Sequence, residues 1–137
     1  MYGTTTERAD EMTNTGSETK IDFAKMDGLV PGIVQDARTG QVLMVGFLNE
    51  TSYQKTIETG FVTFWSRTRQ KLWMKGETSG NRLRVVDAAT DCDNDALLFR
   101  VEVEGDGLVC HEGTVSCFTR SIALPVAASS SLSTEVR

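Results

Sequence analysis

The chain has 137 residues, 39% of them apolar, and a formal net charge of −5. That length suits one domain with a packed core. The acidic balance argues against a nucleic-acid binder, which needs a basic surface. A membrane span is excluded as well, because there is no run of about 18 apolar residues.

Residues 1–19 are polar and include Glu7, Asp10, Glu11 and Glu18. They lack the apolar run of a secretory signal and are too acidic for a transit peptide. They read as a disordered tail, because too little apolar surface is present to offset the entropy of ordering. The ordered domain is expected over residues 20–125, and 126–137 reads as a second polar tail. The reading is of a soluble, cytoplasmic protein.

Within that domain the pattern is strand-like. Apolar, β-branched or aromatic runs lie at 41–47, 61–65, 71–75, 82–86, 96–104 and 116–124. One helix is expected at about 49–59, with Asn49 as N-cap and Gly60 as the stop. Turns are expected at Thr39-Gly40, Ser79-Gly80-Asn81, Gly105-Asp106-Gly107 and Gly113. The fold class is therefore mainly β, an α+β domain with one or two short helices.

Charge is uneven. From Arg67 to Arg84 there are six basic residues against Glu77 alone. From Asp87 to Asp106 there are seven acids against Arg100. A concentrated basic stretch in an acidic chain suits a small anion better than a polymer, although solvated strand faces look the same.

The cysteines are Cys92, Cys110 and Cys117, and the single histidine is His111. An odd number of cysteines in a cytosolic-looking chain does not read as a disulfide framework. A two-residue hairpin turn at Gly113-Thr114 would set Cys110 opposite Cys117, about 5 Å away. Two thiolates so placed could grip zinc, with Cys92 as the third sulfur. Three sulfurs plus water make an open, catalytic type of site, whereas His111 as a fourth ligand would close it. Three buried structural thiols are the plain alternative.

Asp91, Asp93 and Asp95 alternate with Cys92 and Asn94 in "DCDND". On an extended chain the three carboxylates share one face and the thiol takes the other. Hard oxygen donors suit Mg²⁺ or Ca²⁺. An EF-hand is excluded, because Ala96 stands where that loop needs glycine and an apolar strand follows. An acid-decorated edge strand is the plain alternative.

"FWSRTRQKLWMKGETSGN" joins Arg67, Arg69 and Lys75 to a small hydroxyl-rich loop at 76–81. Such a loop can turn backbone N–H groups toward an anion, and two arginines two apart can present two forks to phosphate. It is not a Walker A loop. Asp36, in "VQDARTG", is either a site residue or a turn aspartate.

"PGIVQDARTGQVLMVGFLNE", "TFWSRTRQKLWMKGETSGN", "DCDNDALLFRVE" and "CHEGTVSCF" occur in this order over about residues 29–118. Together they closely resemble the phosphoribosyl-AMP cyclohydrolase family. The resemblance implies hydrolytic opening of the purine six-membered ring of 1-(5-phosphoribosyl)-AMP between N1 and C6, the third step of histidine biosynthesis. It implies zinc-activated water, with one zinc per subunit on Cys92, Cys110 and Cys117, and magnesium on Asp91, Asp93 and Asp95. It also implies a small compact metal-binding domain that forms an intertwined homodimer. There Cys92 of one chain would meet Cys110 and Cys117 of the other.

On that reading His111 is the general base, since an imidazole titrates near neutral pH. Arg67, Arg69, Lys75, Glu77, Thr78, Ser79 and Gly80 would contact the substrate and its phosphates. The length fits the standalone enzyme rather than the fusion with a pyrophosphohydrolase. Departures from the family pattern fall at "VGF", at Asn81, and at Glu112, Thr114 and Val115, and none removes a cysteine, an acid or His111. Two other readings are a structural zinc module that binds a partner and a Mg²⁺-dependent phosphohydrolase using the aspartates alone. A zinc nucleobase deaminase is excluded, because its H-x-E and P-C-x-x-C halves are both missing.

Overall fold

The computed structural model describes residues 20–125, and the two expected tails at 1–19 and 126–137 lie outside the described residues. The elements in chain order are β1 (Val30–Asp36), β2 (Val42–Leu48), α1 (Glu50–Thr59), β3 (Thr63–Ser66), β4 (Lys71–Met74), β5 (Leu83–Thr90) and β6 (Leu97–Val103). A 3₁₀ turn at Ala24–Met26 precedes β1. Four strands form one sheet in the order β2-β1-β6-β5, and β3 pairs with β4 as a separate hairpin. β1 and β6 run parallel, and the other pairings are antiparallel.

The mainly β expectation holds, but its elements are not all in place. β1 is a central strand that was missed, because Pro31 and Gly32 interrupt its apolar pattern. Proline is tolerated because pairing with β6 begins only at Gly32, facing Leu97. The expected strand at 116–124 does not form, and its backbone is irregular. Phe118, Ile122 and Leu124 on it are 63%, 82% and 59% exposed, so among the described residues little packs on them to stabilise a strand.

The helix follows from its ends. Ser52 N–H donates to the Asn49 side chain at 2.8 Å, and Asn49 N–H donates to Ser52 Oγ at 3.0 Å. This reciprocal pair is a capping box. At the other end Gly60 takes a left-handed φ of 81° and donates to the Thr56 carbonyl. The buried face is polar: Thr56 Oγ1 accepts the Thr63 N–H at 2.9 Å, which fixes where β3 starts.

Alternation along β1 and β6 sends Val30, Val34, Leu97, Phe99 and Val101 to one face. They join Leu43, Met44, Leu48, Val62, Phe64, Leu83 and Val109 in one core. Full burial of Phe64 or Phe99 contributes about 2–3 kcal/mol each. On β2, Val34 faces Met44 while Gln35 faces Val42, so Leu43 is an extra residue in the ladder. This bulge puts both Leu43 and Met44 in the core. On this edge strand the Leu43 carbonyl accepts a hydrogen bond from Cys117 N–H at 2.8 Å. The core packing of β2 therefore positions the backbone of Cys117.

Candidate metal and substrate site

The acids meet, although not by extension. Residues 91–94 form the tight turn between β5 and β6, closed by Asn94 N–H to the Asp91 carbonyl at 3.1 Å. Asn94 sits in the left-handed region at φ 63°, where asparagine is well tolerated. Asp91 Oδ1 accepts the N–H groups of Asp95 at 3.0 Å and Ala96 at 3.2 Å. This Asx arrangement curls the chain, so "DCDND" forms a turn rather than an extended, alternating segment. One oxygen from each of Asp91, Asp93 and Asp95 lies within 4.8 Å of the others. Convergent hard donors fit a Mg²⁺-type cation.

Lys25, from the 3₁₀ turn, reaches into this group. Its Nζ lies 3.2 Å from Asp95 Oδ2 and 3.4 Å from Asp93 Oδ2. The hydrogen bond to Asp95 is the main influence that raises the Lys25 pKa above the ordinary lysine value. Asp93 falls below the usual carboxylate range, chiefly through its hydrogen bond with Asp95. For Asp95 the hydrogen bond from Lys25 is the largest single influence and pulls downward. Contacts with Asp93 and Asp91, with desolvation, outweigh it and leave Asp95 raised.

The cysteines divide two and one. Cys110 N–H donates to the Thr114 carbonyl, and Gly113 N–H donates to the Cys110 carbonyl. The turn is therefore centred on His111-Glu112 rather than on Gly113-Thr114, and Cys110 does not face Cys117 in a ladder. The chain then swings to β2, where Ser116 Oγ donates to the Val42 carbonyl at 2.8 Å. This returns Cys117 to the neighbourhood of Cys110. The two thiols perturb each other, and both are free, as is Cys92.

The Cys110 thiol lies below the ordinary thiol value. A hydrogen bond from the Glu112 backbone is the largest cause, followed by the Thr114 hydroxyl. Cys117 is pushed up, first by burial and then by Cys110. A thiol with a lowered pKa is the better metal ligand at neutral pH. Two neighbouring thiols suit zinc, but among the described residues Cys92 does not join them within one chain.

A cavity of about 380 Å³ unites the rest. Cys110 and His111 line it beside Lys75, Glu77, Thr78 and Ser79. Trp73 borders it, 41% exposed, and Lys75 Nζ lies 5.6 Å from the Trp73 ring centroid. Trp73 and Glu77 also line a neighbouring cavity of about 450 Å³, which Arg69 and Lys71 share. Not every expected contact converges. Arg67 stacks over the Phe47 ring at 4.1 Å and lines neither cavity. Gly80 spends its N–H on the Gly76 carbonyl at 2.8 Å, so that donor is not available to an anion. Asp36 holds the N–H groups of Arg38 and Thr39 and is a turn residue.

Lys71 escaped sequence reasoning as a site residue. Asn81 entered it only as a turn residue and a departure from the family pattern, yet it staples the two walls of the first cavity. Its Nδ2 donates to Asp106 Oδ1 at 2.7 Å and to the Leu108 carbonyl at 2.9 Å. Its Oδ1 accepts the Asp106 N–H at 3.1 Å. Gly105, at φ 72°, leaves the room: a methyl there would overlap Asn81 Oδ1. Gly76, at φ 83°, likewise leaves room for the Asn81 carbonyl. The sequence signals of Asn81 were its place directly after Gly80, at the end of the 76–81 loop, and its departure from the family pattern.

The family model described as phosphoribosyl-AMP cyclohydrolase matches residues 44–119. The chain is 59% identical over 102 residues to a phosphoribosyl-AMP cyclohydrolase of Solibacter usitatus, covering 74% of this chain and 80% of that one. It is 52% identical over 103 residues to that of Desulfatibacillum aliphaticivorans, covering 75% and 82%. A histidine biosynthesis bifunctional protein HisIE of Bacteroides thetaiotaomicron is 53% identical over 107 residues, covering 78% of this chain and 52% of that protein. The chain thus spans about half the length of that bifunctional relative. With the matched segments running through the cavity, the acidic turn and all three cysteines, the chain belongs to the phosphoribosyl-AMP cyclohydrolase family.

Proposed function

We propose that this chain catalyses hydrolytic opening of the six-membered purine ring of 1-(5-phosphoribosyl)-AMP, between N1 and C6, in histidine biosynthesis. The observation that carries the reading is the first cavity. It places a histidine and a cysteine with a lowered pKa beside a lysine and a hydroxyl-rich loop. Cys110 and Cys117 would hold zinc, and Cys92 would supply the third sulfur. When bound, zinc supplies acidity to water, bringing its pKa from that of bulk toward neutrality.

The chain's own residues then have definite tasks. His111 takes a proton from the attacking water through an imidazole nitrogen and returns it to N1 as the C6–N1 bond breaks. The oxygen stays on C6 and its remaining proton passes to the exocyclic nitrogen, so C6 becomes a carboxamide carbon and both protons of the water are accounted for. Lys75, Thr78 and Ser79 bind one ribose phosphate. Arg69 and Lys71, which line the neighbouring cavity with Trp73, would bind the other. Glu77 lines both cavities and would orient the substrate. Asp91, Asp93 and Asp95 would hold Mg²⁺.

The zinc site is proposed to be shared in a homodimer. Cys92 stands apart from the Cys110–Cys117 pair within one chain, which supports completion from a second copy. Exposed Ile33 faces exposed Val45 across the β1–β2 ladder, and Phe118 and Ile122 add apolar surface for that copy to cover. Reduced thiols suit the cytoplasm, and among the described residues no helix is long and apolar enough to cross a membrane.

The test is a ring-opening assay on phosphoribosyl-AMP with metal analysis of the purified protein. Turnover that depends on zinc and rises with Mg²⁺ is expected. No turnover from zinc-replete protein with added Mg²⁺ would overturn the proposal.

A further inference from the structure

Three carboxylates held within 4.8 Å of one another repel, and the turn that holds them needs a counter-charge. The chain supplies one. Lys25 Nζ contacts Asp93 Oδ2 and Asp95 Oδ2, and it also lies 3.5 Å from the Asp93 carbonyl oxygen. The segment that carries Lys25 is tied to the same turn by backbone. Asp22 N–H donates to the Asn94 carbonyl at 2.7 Å, and Lys25 N–H donates to Asp22 Oδ1 at 3.2 Å. The ammonium is thus delivered to the acids by a short braced stretch, not by a free side chain on a distant surface.

We infer that Lys25 is a built-in counter-ion of the aspartate cluster, which a divalent cation must push aside in order to bind. The inference rests on the reading of Asp91, Asp93 and Asp95 as a cation site. An ammonium at contact distance from two of the three carboxylates and a divalent cation compete for the same groups, and they repel each other. Two consequences follow. The turn keeps its shape without metal, because one positive charge is always present. Cation affinity is also lower than three free carboxylates would give, so occupancy follows the free cation concentration.

The test is direct binding of Mn²⁺, as a Mg²⁺ substitute, to the full chain by isothermal titration and by loss of the free-ion electron-spin signal. Lys25→Met should bind Mn²⁺ about tenfold more tightly than the parent chain at low salt, the size expected for removing one unit charge at this distance in water. Lys25→Arg keeps the charge and should bind within about twofold of the parent chain. Equal or weaker affinity in Lys25→Met, or no Mn²⁺ binding by either chain, would overturn the inference. Ring opening by the parent chain at saturating Mg²⁺ reports on the enzymatic reading separately. That reading survives if Lys25→Met leaves Mn²⁺ affinity unchanged.

Discussion

Asn81→Ala removes the staple between the two walls of the cavity. Three hydrogen bonds disappear together, two given by Nδ2 and one received by Oδ1. A neutral hydrogen bond is worth about 1 kcal/mol net, and one to a carboxylate about 1.5–3 kcal/mol. Asn81 and Leu108 are half-buried and Asp106 is exposed, so water recovers part of this. A loss of about 2 kcal/mol is expected, on the order of 10 °C in melting temperature for a domain of this size. Asn81→Asp should be worse at pH 7, despite its equal size. It replaces both donors with an acceptor that faces Asp106 Oδ1 and the Leu108 carbonyl. The expected order of stability is therefore Asn, then Ala, then Asp, measured by urea and thermal unfolding. Activity should fall in the same order, because the Asn81 bonds set the distance between the Lys75–Ser79 loop and Cys110-His111. If Asn81→Asp matches the parent chain in both stability and turnover, the staple reasoning is refuted.

Other outcomes follow from the same geometry. Cys92→Ala and Cys110→Ala chains should each be inactive, and mixing them after partial unfolding should restore activity, because a mixed dimer holds one complete cysteine set. No recovery would count against a shared zinc site. In zinc-stripped protein, Cys110 should react with iodoacetamide at a lower pH than Cys117, since its lowered pKa provides thiolate earlier as pH rises. Peptide mass spectrometry over pH 6–9 reads this, and faster labelling of Cys117 near neutrality would contradict it. Asn49→Ala should cost about 1 kcal/mol by removing half of the α1 capping box, and Asn49→Gly should cost less. Chemical denaturation separates the two.

Much of the molecule was written locally. Helix α1 was legible because its cap, stop and length all lie within a dozen residues, and each acts on its immediate neighbours. Five of the six strands announced themselves through β-branched and aromatic runs. β1 did not, because Pro31 and Gly32 spoil the pattern, and only its place between β2 and β6 makes the segment a strand. The opposite happened at 116–124. Its residues favour a strand, but among the described residues no neighbouring strand offers a ladder, and sheet hydrogen bonds need two partners.

The site divides along the same line. Residue chemistry by itself determined which groups can serve: soft thiolates, hard carboxylates, one imidazole and a basic, hydroxyl-rich loop. Their geometry was decided by tertiary structure. The aspartates converge because Asp91 caps a turn between β5 and β6, not because they alternate on a strand. Cys117 returns toward Cys110 because a bulged edge strand offers the Leu43 carbonyl. Lys25 meets Asp93 and Asp95 across nearly seventy residues of sequence, a contact that no local pattern encodes. Side-chain chemistry is a property of each residue, whereas convergence depends on how distant backbone segments satisfy one another's hydrogen bonds. The first can be read along the chain, and the second exists only once the chain is folded.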